Sequence, residues 1–242
     1  MCFLMKNAAN LFLENQKGSV RLFFLSALVL AMSVGCAMAP RNSPGTSSSV
    51  KWETAIANYE AQDKTNAPAS GCIVFTGSSY IRLWKNLVTD FPGLPVVNRG
   101  FGGCQLPDVS HYAGRIVIPY APREVVIYAG GNDINAHKSP EAVFVDFVAL
   151  MKKLRSALPR TQLIFISCPP SPKRWAQTDK IRELNALIAS YCQSHEIAFV
   201  NTFNLMLGAD GLPRPDIYGP DQLHMNDVGY ALWADAVRPH LR

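Results

Sequence analysis

Residues 72–84 read CIVFTGSSYIRLW. Ile73-Val74-Phe75-Thr76 is an apolar run rich in β-branched residues, suited to a buried strand, and Gly77-Ser78-Ser79 interrupts it with a glycine and two hydroxyls. The segment from Ser79 through Tyr80-Ile81-Arg82-Leu83-Trp84 then reads as the opening of a helix. A serine at a strand-to-helix turn is either an ordinary helix cap or a nucleophile presented at a sheet edge. The remainder of the chain decides between the two.

The strand-then-helix order recurs downstream. Strand-like runs are Cys72–Thr76, Pro95–Asn98, Glu124–Ala129, Gln162–Cys168 and Ile197–Thr202. Before them, Trp52, Ile56 and Tyr59 recur at helical spacing. Ser139, followed by Pro140 and Glu141, caps a helix that carries Val143, Phe147, Leu150 and Leu154 to Leu158. Further helices carry Ile181, Leu184, Ile188 and Tyr191 from Thr178, and Tyr230, Trp233 and Val237 after Asn226. Near-continuous apolar strands alternating with amphipathic helices need a sheet covered on both faces. The expected fold is therefore α/β: a three-layer α/β/α sandwich with a parallel sheet of about five strands. Ligands of such sheets sit beyond the carboxyl ends of the strands. That rule puts Gly77-Ser78-Ser79, Arg99–Gly103 and Gly130–Asp133 on one rim.

The 242 residues, 48% apolar and 17% charged, suit one sizeable globular domain behind a targeting segment. Of the formal charge of +5, residues Lys6, Glu14, Lys17 and Arg21 contribute +2, and the body has no basic block. Nucleic acid is not an expected partner. Leu22 to Val34 is an uncharged apolar run of 13 residues behind Lys17 and Arg21, short for a membrane span and suited to a secretory h-region. Two processing sites compete. Ala37-Met38-Ala39 has the small-x-small form but precedes Pro40, whereas Ser33-Val34-Gly35-Cys36 resembles a bacterial lipobox in which Cys36 becomes lipidated. The expected organisation is a signal over 1–36, a Pro/Ser/Gly-rich linker over 37–50 and one domain over 51–242. Export to the periplasm or cell envelope follows, with membrane attachment through lipid on Cys36 as the narrower expectation. Cys72, Cys104, Cys168 and Cys192 are even in number, which permits disulfides. Cys72 and Cys168, however, lie in strand-like runs that favour buried thiols, and no C-x-x-C spacing suggests zinc or redox chemistry.

A serine nucleophile needs a base, an orienting acid and an oxyanion site. Among five histidines, His224 stands out in Asp221-Gln222-Leu223-His224, where a carboxylate three residues back can fold onto Nδ1–H and leave Nε2 for the serine. His111 and His137 near the rim are lesser candidates, while His195 and His240 belong to the far side. Asn98-Arg99-Gly100-Phe101-Gly102-Gly103 offers backbone N–H groups unobstructed by Cβ atoms. It is not a dinucleotide loop, since G-x-G-x-x-G would need glycine at Gln105. Gly130-Gly131-Asn132-Asp133 offers a side-chain amide or a plain tight turn.

In this order on successive strand ends, these blocks resemble the SGNH hydrolases, or GDSL-like lipases and acylhydrolases, from about Cys72 to the C-terminus. The resemblance implies a flavodoxin-like SGNH fold with Ser79, rather than Ser78, as nucleophile, His224 as base and Asp221 as its orienting acid. It implies an oxyanion hole from the Ser79 and Gly103 N–H groups and the Asn132 amide. One position departs from the pattern: Ser78 replaces the usual aspartate of the first block, which bears on the rigidity of that turn. No metal or cofactor is implied. The implied activity is a serine esterase acting through an acyl-serine, on short-acyl esters of carbohydrates or small molecules. A lysophospholipase-type lipase, an O-acyltransferase and a catalytically silent binding module are the alternatives. Arg174 and Trp175 are candidates to line the rim.

Overall fold

The computed structural model describes residues 49–242. The signal-like run, both processing sites, Cys36 and most of the expected linker lie outside the described residues. A 3-10 turn over Ser49–Trp52 leads into α1 (Glu53–Thr65), followed by β1 (Ile73–Gly77), α2 (Ser79–Arg82), α3 (Leu87–Asp90) and β2 (Val96–Gly100). Then come α4 (Leu106–Ile116), β3 (Glu124–Tyr128), α5 (Gly131–Asn135), α6 (Pro140–Ala157), β4 (Gln162–Ile166), α7 (Thr178–Ser194), β5 (Ala198–Val200) and α8 (Asp227–Val237). The five strands form one parallel sheet in the order β2-β1-β3-β4-β5. This is the expected α/β/α sandwich.

Burial follows from this topology. Every residue of β1 and β3 is buried, as central strands covered on both faces must be. Helices α4, α6 and α7 pack side by side on one face. On the other, α2 and α8 meet in an aromatic cluster: the Trp233 ring stacks on Tyr80 with centroids 5.5 Å apart, and Trp84 packs edge-on against Phe75 at 5.6 Å. Truncating a buried aromatic of this kind to alanine costs about 3–5 kcal/mol. The Ser139 cap is as expected, its side chain accepting the Ala142 N–H at 3.2 Å. Cys72, Cys104, Cys168 and Cys192 are all buried free thiols, so the disulfides their even number permits are not formed.

The sheet register sets up the site. Gly77 pairs with Gly100 on one side and Tyr128 on the other, so three strand ends finish level. The loops that leave them therefore start from one line across the sheet. Only glycine fits at position 77: its φ is +127°, and a Cβ there would stand 1.8 Å from the Tyr128 carbonyl oxygen.

Candidate active site

Ser79 begins α2, directly after β1. Ser78 caps the helix in an extended conformation and is held by its main chain: its N–H donates to the Tyr128 carbonyl at 2.9 Å, and its own carbonyl accepts from Ile81 and Arg82 at 3.0 and 3.1 Å. The turn is thus fixed by backbone bonds with serine where the family pattern has aspartate. At the first position of α2, the Ser79 N–H is one of the amides that a helix cannot satisfy internally. The Ser79 hydroxyl lies 2.8 Å from His224 Nε2, and His224 Nδ1 lies 2.6 Å from Asp221 Oδ2. Ser79, His224 and Asp221, 145 residues apart at the extremes, form one hydrogen-bond chain.

The Asp221–His224 turn explains why a three-residue spacing serves. Asp221 Oδ1 accepts the N–H groups of Leu223 and His224 at 3.0 and 2.9 Å, which leaves Oδ2 for the imidazole. Partial burial pushes the Asp221 carboxyl up. The His224 N–H, the imidazole and the Leu223 N–H outweigh that and hold it down at about 2. An ionised carboxylate facing Nδ1 puts the ring proton there, so Nε2 is free to accept from the serine.

Tyr80 is a residue the sequence reading left out. Its hydroxyl donates to the Leu223 carbonyl at 2.5 Å, and its own carbonyl accepts from the Tyr230 hydroxyl at 2.9 Å. Its ring lies 5.7 Å from the His224 ring. The residue after Ser79 therefore ties the helix of Ser79 to the loop of His224.

The oxyanion candidates also converge. Gly103 has φ +80°, and the next residue, Cys104, accepts a hydrogen bond of 3.0 Å from Asn132 Nδ2. Asn132 Oδ1 accepts from Arg174 Nη1 at 3.1 Å, and the same nitrogen donates to the Gly131 carbonyl at 3.2 Å. Arg174 thereby fixes which end of the Asn132 amide is the donor. The glycine block is braced from the N-terminal side as well. Trp52 Nε1 donates to the Gly102 carbonyl at 2.8 Å and the Tyr59 hydroxyl to the Gly100 carbonyl at 2.6 Å. Arg99 is ion-paired with Asp63 and lies over the rings of Tyr59 and Tyr120. Asp133, fully buried, accepts the Leu106 N–H and pairs with Lys138 at 3.0 Å. Burial pushes its carboxyl up to about 6, against the pull of the Lys138 ammonium.

The lesser histidine candidates stand apart from this chain of bonds. His111 is exposed on α4 against Tyr112, and His137 is exposed in the turn after α5. His195 is exposed and stacks on Tyr191. Trp175 is half-buried in the loop that carries Arg174. Among the described residues, no group of three or more His, Cys, Asp or Glu side chains is arranged to hold a metal ion.

The sandwich and the rim geometry define an SGNH-like hydrolase scaffold. Residues 65–232 match the GDSL-like Lipase/Acylhydrolase family, and the chain belongs to that family. It is similar to the GDSL esterase/lipase WDL1 of Oryza sativa subsp. japonica, with 26% identity over 132 residues, 46% of this chain and 50% of the relative. The chain thus spans about half the length of the curated relative it matches. Among solved structures it is similar to a GDSL-like lipase from Bacteroides thetaiotaomicron, with TM-score 0.65 and 24% identity over 76% of this chain and 97% of that one. It is also similar to a mutant of an acetyl-xylooligosaccharide esterase from Geobacillus Stearmophilus, with TM-score 0.56 and 17% identity over 71% and 94%. At those identities the structural likeness carries the fold alone.

Proposed function

We propose that this protein is a serine esterase that cleaves short-acyl esters of carbohydrates or small molecules through an acyl-serine intermediate. The observation that carries the reading is the Asp221–His224–Ser79 hydrogen-bond chain on the rim of the sheet. His224 Nε2 takes the Ser79 proton as the oxygen attacks the ester carbonyl, and Asp221 stabilises the imidazolium that forms. The Ser79 and Gly103 N–H groups and the Asn132 amide receive the negative charge developing on the carbonyl oxygen. Each such preorganised donor is worth about 3–4 kcal/mol in the transition state. Asn132 Nδ2 carries two N–H donors, so one can keep the Cys104 carbonyl while the other serves the oxyanion. His224 returns the proton to the leaving alcohol, then activates the water that frees the serine.

A single observation supports a short acyl group. One structural neighbour is an acetyl-xylooligosaccharide esterase. A series of p-nitrophenyl esters from acetate to octanoate tests the reading: kcat/KM is expected to fall with chain length, and Ser79→Ala to abolish turnover. Equal turnover by the alanine variant would refute it. We further propose that residues 1–36 direct export and that Cys36 carries lipid, which metabolic labelling with palmitate would detect in the wild type and lose in Cys36→Ser.

A further inference from the structure

Three cationic side chains surround the oxyanion loops, and each lies against those loops instead of a carboxylate. Arg174 donates to the Gly131 carbonyl and to Asn132 Oδ1. The Arg82 guanidinium lies along Gly102, its Nε 2.7 Å from where a Cβ on that glycine would be. Arg82 is also three residues after Ser79 on α2, so the two share one helix face. The Lys51 ammonium is 3.7 Å from the Cβ position of Gly103 and 5.0 Å from the centre of the Trp52 ring, whose indole is itself bonded to Gly102. The absence of a Cβ at Gly102 lets the Arg82 guanidinium lie this close.

Carboxylates near this rim are committed elsewhere. Asp221 holds His224 and Leu223, Asp133 is buried against Lys138, and Glu53 pairs with Arg115. Among the described residues, none of the ion pairs includes Lys51, Arg82 or Arg174. The mouth of the site therefore carries a net positive charge, three cations against the Asp221 carboxylate, whose charge the neutral imidazole does not cancel. Fields of this kind raise the local concentration of anions in a cleft.

We propose that the site selects short-acyl esters whose alcohol part bears a carboxylate, such as acyl groups on acidic sugars. The proposal rests on the esterase reading and deepens it. A carboxylate about 8 Å from one cation in a water-like dielectric gains about a factor of two in affinity at low salt. Three cations opposed by the Asp221 carboxylate leave a net gain of about fivefold. The guanidinium groups of Arg82 and Arg174 suit the planar carboxylate geometrically.

The test compares kcat/KM for 4-acetoxybenzoate and its neutral methyl ester, each divided by its rate of alkaline hydrolysis to remove leaving-group effects. The expected ratio favours the carboxylate by about fivefold at low ionic strength and collapses in 0.5 M salt, roughly, where the Debye length is a few ångströms. Lys51→Gln and Arg82→Gln, both at exposed positions, are each expected to lower the ratio about twofold, and Lys51→Glu to lower it further. Arg174 is left intact because its loss would also free the Asn132 amide. Thermal melts establish that each variant is folded. Neutral-ester turnover with no anionic preference, or a preference insensitive to both salt and the double glutamine variant, overturns this proposal alone. No turnover of either ester would instead count against the esterase reading. A phosphorylated lysolipid preferred over the acetylated carboxylate would overturn the choice of substrate class.

Discussion

Replacing Tyr80 with phenylalanine tests whether this residue holds His224 in place against Ser79, as the proposed mechanism requires. The ring would keep its stacking on Trp233 and its edge contact with Tyr128 at 5.0 Å, so apolar burial is unchanged. What disappears is the 2.5 Å bond to the Leu223 carbonyl, in a tyrosine only 4% exposed. Losing a buried bond and leaving its acceptor unpaired costs about 1–3 kcal/mol. For a domain of this size that is a fall in Tm of about 3–9 °C. Because Leu223 precedes His224 and its N–H shares Asp221 Oδ1 with that of His224, the loosened loop also spoils the 2.8 Å contact with Ser79. The expected kcat is about tenfold lower, equivalent to ~1.4 kcal/mol of misalignment, with KM little changed. Steady-state kinetics with p-nitrophenyl acetate, alongside urea unfolding, reads both effects. Tyr230→Phe is the control, since its hydroxyl serves the Tyr80 carbonyl rather than the histidine loop. A Tyr80→Phe enzyme with lowered stability and wild-type kcat would refute the positioning argument.

Gly77→Ala should not yield a folded enzyme, because its Cβ would overlap the Tyr128 carbonyl at 1.8 Å; a variant with a native-like melt would show that β1 and β3 can separate there without cost. Trp52→Phe removes the donor to the Gly102 carbonyl and is expected to lower kcat severalfold with KM steady, which esterase kinetics would measure; unaltered kcat would mean that the glycine block holds itself. For Asp133, the folded-state carboxyl titrates at about 6, above the ~3.9 of an unfolded chain, so its stability contribution is full below pH ~4 and lost as pH rises through ~6. Urea unfolding from pH 4 to 7 should therefore show the wild type losing stability relative to Asp133→Asn by on the order of 2 kcal/mol, and a change of opposite sign would contradict the assignment.

Much of this was legible in the chain because it is written in short windows. Runs such as Ile73–Thr76 and Glu124–Ala129 have no polar face, which is enough to call for a parallel sheet with helices on both sides. The glycines and polar residues that follow each run then fall together on one rim, and the local Asp221–His224 spacing suffices to position an imidazole. Helix α4 was equally legible, though the reading passed over it: Leu106, Val109, Tyr112, Ala113 and Ile116 recur at helical spacing, and Gln105 and Asp108 form a capping box at its start. The braces were illegible. Trp52 to Gly102, Tyr59 to Gly100 and Tyr80 to Leu223 span 50, 41 and 143 residues, and each joins a side chain to a main-chain carbonyl. No periodicity marks such a bond. Ser78 is the instructive case: as a side chain it departs from the family pattern, yet the turn is held by its backbone, which the pattern does not register.

Labelling with a fluorophosphonate probe, followed by peptide mass spectrometry, tests the central claim most directly. An activated serine reacts only when a neighbouring base takes its proton and an oxyanion site receives the phosphonyl oxygen. The probe is expected on Ser79 alone in the wild type, and on no residue in Ser79→Ala or His224→Ala. Stoichiometric labelling of Ser78, or a folded wild-type protein that takes up no probe, would contradict the account.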